Sequence, residues 1–267
     1  MINTITTIVN EAIKLIELDI HKSETTDVLK SDKHDIKLAI DKKLGDLIYS
    51  HIQKDFPTHS IISEENEIII GQDDYTWIID PLDGSVNYFY GLPFYGISIA
   101  CFNNQLELSN QCYDFKSLLK KPVIGIIYIP YNQKLYWAIH NHGAYCNTHI
   151  LKCPENMNSQ DVLLSMNFSG RQENMKDMDK ILSKLVKQVK KIRSHGATAV
   201  DLAYIASGNI GALIQRGIKI WDFAAAYIIL TEAGGKFSTT EREPNSWDII
   251  ASFPNLHDFF IREAAIL

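Results

Sequence analysis

The spacing of hydrophobic residues predicts two helices at the start of the chain. Apolar side chains recur every three or four positions over residues 5–20, which is the period of an amphipathic helix. The same spacing returns over residues 44–52, and Pro57 follows this segment at a position where a helix has ended. The polar residues 27–34 between the two segments predict a loop.

Short apolar segments bounded by turn residues replace the helical pattern after residue 59. They are rich in Ile, Val, Tyr and Phe, which favour strands. The predicted strands cover residues 60–63, 76–79, 96–102, 123–129 and 135–139. The polar residues 103–122 are too many for an ordinary hairpin connection, and we interpret them as an insertion.

Helical and strand patterns alternate in the second half of the chain. Strands are predicted at residues 161–165 and 212–214, and helices at residues 178–189, 199–206 and 221–233. Gly234 and Gly235 follow the last of these helices, as is typical of a helix C-terminus.

The order of these elements indicates the fold class. Two helices, a run of strands and then alternating elements predict a layered α/β architecture. A boundary near residues 146–158 would separate an N-terminal α+β domain, residues 1–150, from a C-terminal α/β domain, residues 151–267.

The charge balance argues against two classes of partner. The 267-residue chain has 26 basic and 32 acidic side chains and a formal charge of −6, without a basic stripe or tail for nucleic acid or an anionic membrane. Its apolar runs are far shorter than the ~20 residues of a membrane span, and residues 1–11 lack the pattern of a signal peptide. Cys101, Cys112, Cys146 and Cys153 form no CxxC pair, which favours reduced thiols over disulfides or zinc. We therefore expect a cytoplasmic protein whose partners are neither nucleic acids nor membranes.

Two carboxylates come at the end of a strongly apolar predicted strand. Residues 77–79, Trp-Ile-Ile, lead directly into Asp80, and Asp83 follows after Pro81, which keeps the strand from continuing regularly. Two adjacent buried anions repel each other, and burying them unpaired costs several kcal/mol. A cation should therefore compensate them.

The nearby sequence offers no basic side chain for that purpose, because residues 55–115 contain neither Lys nor Arg. A hard divalent cation fits better, and Mg²⁺ is the abundant candidate. The Leu82 carbonyl is a further candidate ligand, and Gly84 and Ser85 offer main-chain N–H groups to an anion such as phosphate. A metal beside such an anion site predicts phosphoryl chemistry.

Each acidic segment also has a purely structural interpretation. Asp-Pro and Asp-Gly are common turn sequences, so residues 80–84 also fit a tight turn. Glu64 and Glu65 fit a solvated surface, and Asp41 and Asp222 each fit the N-terminal cap of a helix. The local sequence leaves these alternatives open.

Longer motifs carry a resemblance to a known family. Residues 77–88 are Trp-Ile-Ile-Asp-Pro-Leu-Asp-Gly-Ser-Val-Asn-Tyr, and residues 221–235 are Trp-Asp-Phe-Ala-Ala-Ala-Tyr-Ile-Ile-Leu-Thr-Glu-Ala-Gly-Gly. They resemble the two signatures of the inositol monophosphatase family of Mg²⁺-dependent, lithium-sensitive phosphatases. Residues 35–41 and 61–65 resemble the N-terminal and acidic motifs of the same family, in the same order along the chain.

The resemblance implies a fold and an activity. The implied fold is the layered αβαβα sandwich of the inositol monophosphatase and fructose-1,6-bisphosphatase type, assembled as a homodimer. The implied activity is that of a phosphoric monoester hydrolase acting on a small phosphorylated polyol, with inositol 1-phosphate as the first candidate. Two or three Mg²⁺ ions would activate a water molecule for in-line attack on phosphorus.

The resemblance also implies a role for each matching residue. Ser85 stands where the family usually has Thr and would orient the attacking water, with Asp41 and either Glu64 or Glu65 behind it. The implied metal ligands are Glu64, Asp80, the Leu82 carbonyl, Asp83 and Asp222. The implied substrate-binding residues are Asp83, Gly84, Ser85, Ala197, Thr198, Gln215 and Asp222.

Departures from the family pattern leave the substrate open. Gln215 stands where inositol-specific members have a Glu, so a charge-assisted contact with a sugar hydroxyl is lost. Leu38 and Ile40 replace hydroxylated residues of the N-terminal motif. The alternative substrates are 3′-phosphoadenosine 5′-phosphate, fructose 1,6-bisphosphate and histidinol phosphate. A regulatory, protein-binding member of the family is the alternative from another functional class.

Overall fold

A computed structural model describes residues 1–20, 28–31, 36–104, 108–109, 112–113, 115–168 and 172–264 of the protein. The helices over these residues are α1 (Ile2–Ile20), α2 (Ala39–Asp55), α3 (Ser85–Phe89), α4 (Phe115–Leu118), α5 (Gln172–Leu185), α6 (Thr198–Ala206), α7 (Ala224–Glu232) and α8 (His257–Ala264). The strands are β1 (Val28–Ser31), β2 (Ile36–Leu38), β3 (Ser60–Ser63), β4 (Thr76–Asp83), β5 (Gly96–Phe102), β6 (Leu108–Ser109), β7 (Cys112–Tyr113), β8 (Pro122–Ile129), β9 (Lys134–Ile139), β10 (Ala144–Cys146), β11 (His149–Leu151), β12 (Leu163–Asn167), β13 (Lys191–Arg193), β14 (Ala212–Ile218), β15 (Lys236–Glu243) and β16 (Ser246–Ser252).

Two large sheets contain most of these strands. The first has seven strands in the order β11-β10-β9-β8-β5-β4-β3, antiparallel except for the pair β3 and β4. The second has five strands in the order β13-β12-β14-β16-β15, in which β12 runs parallel to both of its neighbours.

The alternation of side chains along β4 shows how the layers are built. Trp77 and Ile79 belong to a buried cluster that includes α1 and α2. Ile78 lies between them in sequence and belongs to a second cluster that includes α6 and α7, because successive strand residues face opposite sides of a sheet. The second cluster continues into the five-stranded sheet and the helices α5 and α8. The predicted αβαβα sandwich is therefore confirmed.

The helices α6 and α7 form the middle layer and carry small residues that allow close packing. A Cβ atom on Gly125 of β8 would lie 2.5 Å from the carbonyl oxygen of Ala225 in α7. Only glycine fits where the two backbones approach so closely. Since α7 begins two residues after Asp222, this contact also fixes where Asp222 lies.

Most predicted elements are confirmed, with changes at their ends. The predicted strand at residues 76–79 continues to Asp83, and the one at residues 212–214 continues to Ile218. Residues 159–161 and 220–222 form 3₁₀ turns that precede β12 and α7, instead of the first residues of those elements. The two-domain division stays a prediction, and one buried cluster includes residues of both large sheets.

The predicted loop at residues 27–34 is wrong for residues 28–31. These residues form β1, which pairs antiparallel with β2, while residues 27 and 32–34 lie outside the described part. Val28 and Leu29 are exposed. Main-chain pairing rather than side-chain burial therefore holds this strand, and a hydrophobic pattern does not report such pairing.

The remaining sequence predictions concern the insertion, the thiols and membranes. Residues 103–122 contain the short elements β6, β7 and α4, and residues 105–107, 110–111 and 114 lie outside the description. Cys101, Cys146 and Cys153 are free thiols, as predicted, whereas the prediction for Cys112 falls on a side chain that is not described. Among the described helices, none combines the length and apolar content needed to cross a membrane.

Candidate active site

Strand β4 carries two of the predicted ligands into the centre of the molecule. Asp80 and Asp83 are 1% and 8% exposed. Asp80 pairs with Ser98 of β5 and Asp83 pairs with Gly96, so three steps along β4 correspond to two steps along β5. This irregularity is a β-bulge, and it lies at Pro81, where the sequence predicts that regular pairing stops.

The bulge borders a cavity of about 200 Å³. The cavity is lined by Glu64, Asp80, Leu82, Asp83, Gly84, Ser85, Val86, Gly196 and Asp222. The structure thus brings all of the implied metal ligands to one place, although they come from three separate segments of the chain.

Asp80 is the carboxylate whose charged form is most strongly disfavoured here. Burial, and then the nearby carboxylates of Glu64, Asp83 and Asp222, raise the pKa of Asp80 well above its ordinary value. A cation in the cavity would replace this repulsion with attraction.

Asp83 joins β4 to the N-terminus of α6. Its Oδ1 accepts a hydrogen bond from Thr198 N at 3.1 Å, and its Oδ2 accepts hydrogen bonds from Ala199 N at 2.7 Å and Val200 N at 3.3 Å. Burial raises the pKa of Asp83 to about 7, while the three N–H groups act in the opposite direction. Because a helix N-terminus favours an anion, Asp83 holds the second half of the chain against the cavity.

Ser85 and Asp41 form a hydrogen-bonded pair beside the cavity. Ser85 Oγ lies 3.0 Å from Asp41 Oδ1 and 2.9 Å from the Leu82 carbonyl oxygen, and it has one proton to donate. Asp41 is 2% exposed, and its Oδ2 accepts a hydrogen bond from Leu38 N at 2.8 Å. The interpretation of Asp41 as the N-terminal cap is wrong, because Leu38 is the cap residue and Asp41 is the third residue of α2. Asp41 binds back to that cap residue and also holds Ser85.

Asp222 reaches the cavity from the 3₁₀ turn that precedes α7. Asp222 is the third residue of this turn, and its Oδ2 accepts a hydrogen bond at 2.8 Å from the main-chain N of the cap residue, Lys219. The interpretation of Asp222 as an N-terminal cap residue is therefore wrong, because Lys219 is the cap of this turn and Phe223 is the cap of α7. The hydrogen bond to Lys219 leaves Asp222 at the cavity.

The two adjacent glutamates lie in different places. Glu64 follows β3, and its main-chain N donates a hydrogen bond to the Ile79 carbonyl at 3.2 Å, which fixes it beside β4. Glu65 does not line the cavity and lies near α2, where a Cβ atom on Gly45 would be 3.3 Å from its Cβ. The catalytic role implied for Glu65 stays a prediction.

Three implied substrate-binding residues of the second half, Ala197, Thr198 and Gln215, do not line the cavity. Thr198 Oγ1 donates a hydrogen bond to Gln215 Oε1 at 2.8 Å, and Asn167 Nδ2 donates to the same oxygen at 3.3 Å. Ala197 is 1% exposed, and its Cβ would be 3.1 Å from a Cβ placed on Gly84. Contacts of Ala197, Thr198 and Gln215 with a substrate stay predictions.

A buried polar network that the sequence did not predict lies behind the wall of the cavity. Asp201 is fully buried, and its carboxylate lies 2.6 Å from Ser165 Oγ, 2.9 Å from Asn167 Nδ2 and 2.5 Å from His195 Nδ1. Asn167 Oδ1 in turn accepts a hydrogen bond at 3.0 Å from the main-chain N of Gly196, which lines the cavity. A single acid in the otherwise apolar helix α6 is a signal that buried donors must exist, although it does not indicate which residues provide them.

The chemistry of the cavity fits hard divalent cations. Its lining provides four carboxylates and a main-chain carbonyl and contains neither sulfur nor imidazole, and Mg²⁺ prefers oxygen ligands of this kind. Among the described residues, no group of three or more His, Cys, Asp or Glu side chains already has the close arrangement of an ion site. Cation binding would therefore draw these side chains together, against the repulsion that raises the pKa of Asp80.

A comparison with known families decides the identity. The sequence profile of the inositol monophosphatase family matches residues 1–266. The chain belongs to the inositol monophosphatase family. The family predicted from the motifs is therefore confirmed, and the protein is a phosphatase of a metal-dependent family.

Individual relatives agree with this assignment. Inositol-1-monophosphatase of Bacillus subtilis is 31% identical over 96% of this chain and 92% of its own length. Nus factor SuhB of Pseudomonas aeruginosa is 31% identical over 89% of this chain and 84% of its own length. The crystal structure of extragenic suppressor protein suhB from Bartonella henselae matches with a TM-score of 0.84 and 25% identity, over 99% of this chain and 98% of that one.

Gly84 of this inositol monophosphatase family member gives a test of the cavity wall. We expect Gly84→Ala to lower both stability and phosphatase activity, the latter by at least about tenfold, because reacting groups lose their geometry. Gly84 has φ +85°, and its new Cβ would lie 2.5 Å from the Phe94 carbonyl oxygen. Urea unfolding and phosphate release measure the two effects.

Gly91→Ala is the matched control for this substitution. Gly91 also has a positive φ, +67°, but a Cβ there would meet nothing within 4 Å. It should show only the left-handed backbone cost of about 1–2 kcal/mol. Equal loss of stability in both variants, with activity retained in both, would contradict the steric role of Gly84.

Proposed function

We propose that the protein is a Mg²⁺-dependent phosphomonoesterase that hydrolyses a small phosphorylated polyol, with inositol 1-phosphate as the first candidate. The observation that carries this proposal is the convergence of four carboxylates from separate segments on one cavity that also contains the Gly84–Ser85 turn. Carboxylates hold divalent cations, and main-chain N–H groups at a turn bind phosphate oxygens. The cavity thus combines a cation site with a phosphate-binding turn, which are the two parts needed to hydrolyse a phosphomonoester.

Two or three Mg²⁺ ions would bind in this cavity. The residues that would hold them are Glu64, Asp80, the Leu82 carbonyl, Asp83 and Asp222. When bound, the ions supply neutralisation of the phosphate charge and a lower pKa for the attacking water.

The attacking water must be oriented and must lose a proton, and Ser85 is placed for both. Ser85 Oγ accepts a hydrogen bond from this water while it donates its own proton to Asp41 Oδ1, which lies 3.0 Å away. The hydrogen bond from Leu38 N fixes Asp41 in turn. Attack forms a bond from the water oxygen to phosphorus and breaks the bond from phosphorus to the alcohol oxygen, which takes up a proton, so that phosphate and the free alcohol leave.

The remaining residues hold the ester. Main-chain N–H groups of Gly84 and Ser85 bind phosphate oxygens, and Asp83 contacts a hydroxyl of the alcohol. Ala197, Thr198 and Gln215 are proposed to position the alcohol from the side of α6 and β14, with Gln215 held by its hydrogen bond from Thr198.

An assay of phosphate release tests the proposal. The purified chain would be given inositol 1-phosphate, 3′-phosphoadenosine 5′-phosphate, fructose 1,6-bisphosphate and histidinol phosphate, with millimolar Mg²⁺ and then with EDTA. We expect the fastest release from inositol 1-phosphate and none with EDTA. Faster release from another ester would change the proposed substrate but not the proposed reaction. The absence of Mg²⁺-dependent release from all four esters would refute the proposal.

A second candidate function is regulatory protein binding. It is favoured by the Pseudomonas aeruginosa relative that bears the name Nus factor SuhB. The carboxylates that line the cavity favour catalysis instead, because a protein-binding role gives no reason to keep mutually repelling buried acids. The same phosphate-release assay separates the two functions.

The proposal extends to properties that the family resemblance implies. We expect inhibition by lithium, a homodimer in solution and a cytoplasmic location. Sedimentation of the purified chain and addition of Li⁺ to the assay test the first two directly.

A further inference from the structure

The loop before α6 forms one wall of the cavity. It follows β13 and contains His195, then Gly196, which lines the cavity, and then Ala197, which packs near Gly84. Gly196 would therefore lie close to any ester whose phosphate occupies the Gly84–Ser85 turn, and His195 precedes it directly in the chain.

His195 is held in this wall at several points. Asn87 Nδ2 donates hydrogen bonds at 2.7 Å to both the His195 and the Phe94 carbonyl oxygens. The imidazole ring lies against the Phe94 ring, with 4.5 Å between the ring centroids. Asn87, two residues after Ser85, thus holds the main chain at His195, and Phe94 packs against the ring.

The buried acid of α6 determines which nitrogen of His195 carries a proton. Asp201 is fully buried, and its Oδ1 lies 2.5 Å from His195 Nδ1. A carboxylate only accepts hydrogen bonds, so we assign the proton to Nδ1. A neutral ring then keeps a lone pair on Nε2.

Nε2 of His195 makes no hydrogen bond to any residue of the described part of the chain, and the side chain is 15% exposed. A ring with a fixed position, a fixed tautomer and one available acceptor is suited to recognise a donor on a ligand. An alcohol hydroxyl is such a donor, whereas a second phosphate group offers acceptors and would be repelled by this lone pair.

We propose that His195 determines specificity for the alcohol part of the substrate, with Nε2 accepting a hydrogen bond from a hydroxyl group close to the ester oxygen. The enzyme then favours phosphorylated polyols over phosphate esters that lack a neighbouring hydroxyl. This inference rests on the proposed phosphatase function and names the residue that selects its substrate class.

Two substitutions separate recognition from support of the loop. The amide nitrogen of Asn occupies the position of Nδ1, so His195→Asn keeps the donor to Asp201 and removes the acceptor. The amide oxygen of Gln occupies the position of Nε2, so His195→Gln keeps an acceptor. The ratio of kcat/KM for inositol 1-phosphate to that for p-nitrophenyl phosphate, which has no hydroxyl, should fall about three- to tenfold in His195→Asn. The change should lie in KM, and His195→Gln should restore most of the ratio.

Two outcomes would overturn the inference. If His195→Asn changes both esters equally, His195 only supports the loop, and if neither ester is affected, His195 makes no contact with the substrate. Calorimetric binding of the same two esters with Ca²⁺ in place of Mg²⁺ provides a measurement that does not depend on turnover. The wild-type chain could lack Mg²⁺-dependent hydrolysis and still bind inositol 1-phosphate, with weaker binding in His195→Asn. That result would refute the phosphatase proposal and support the contact between His195 and the hydroxyl group.

Discussion

Asp83→Asn should reduce Mg²⁺-dependent phosphate release by about 10³-fold or more, since stabilisation by a bound metal supplies several kcal/mol and each 1.36 kcal/mol is a factor of ten. It should also make the metal-free protein less stable. The carboxylate accepts three main-chain hydrogen bonds from the start of α6. An Asn side chain has one acceptor oxygen, and its NH₂ group would face N–H donors, so about 1–3 kcal/mol of stability should be lost.

The two effects are measured separately. Phosphate release with saturating Mg²⁺ gives the catalytic effect, and urea unfolding in EDTA gives the structural one. Asp179→Asn is the matched control, because it makes the same chemical change on the exposed face of α5 and should alter neither quantity. An Asp83→Asn variant that keeps its activity would remove Asp83 from the metal-binding set.

The acidic residues at the cavity could be predicted because the information about them is local. Asp80 and Asp83 follow a strand so apolar that its end must be buried, and the absence of nearby basic residues points to a cation. The motif resemblance then supplied Glu64 and Asp222, which no local rule connects to Asp80. The structure places all four at one cavity.

The polar network around Asp201 could not be predicted in the same way. Its members come from β12, from the loop after β13 and from α6, and each looks unremarkable in its own segment. Ser165 and Asn167 are ordinary strand residues, and His195 is an ordinary loop residue. Only tertiary packing brings them together, and it is this packing that gives His195 its fixed position.

The elements of the fold also differ in how well they could be predicted, depending on whether side-chain burial or main-chain hydrogen bonds define them. Strands whose side chains are buried, such as β5, are predicted with correct ends because burial imposes their composition. The strand β1 and the 3₁₀ turn before α7 were missed because main-chain hydrogen bonds define them. The turn matters for function, since it places Asp222 at the cavity one residue before the buried side chain of Phe223.

The mutually repelling acids that line the cavity lower the stability of the fold, and contacts elsewhere in the fold offset this loss. The N-terminus of α6 stabilises Asp83, the start of α2 holds Asp41 and the turn before α7 holds Asp222 through main-chain N–H groups. Asp80 differs from these three, because burial and all of its charged neighbours act on its pKa in the same direction. Asp80 is therefore where function and stability should conflict most strongly.

Asp80→Asn should abolish Mg²⁺-dependent activity and at the same time stabilise the metal-free protein. The Asn oxygen can still accept the hydrogen bond that Leu82 N donates to Asp80 Oδ1 at 3.1 Å, while the repelled charge is removed. The raised pKa means that the folded wild-type protein holds a proton that the unfolded chain releases, so wild-type stability falls as the pH rises above the ordinary Asp range. The variant lacks this loss. Its advantage should be absent near pH 4 and should grow as the pH rises through the raised pKa of Asp80.

Added Mg²⁺ should reverse the order of stability once its concentration is high enough, because ions that bind only the folded state add about 4.1 kcal/mol at a thousand times their dissociation constant. Wild-type protein should gain this stability, and Asp80→Asn should gain little, so that the wild type becomes the more stable form in Mg²⁺ and the less stable form in EDTA. Urea unfolding of both proteins at pH 5 and pH 8, with and without Mg²⁺, measures all of these differences. A variant that is less stable than wild type in EDTA at pH 8 would show that the Asp80 charge is already compensated within the protein, and the acids at this cavity would then no longer require a cation.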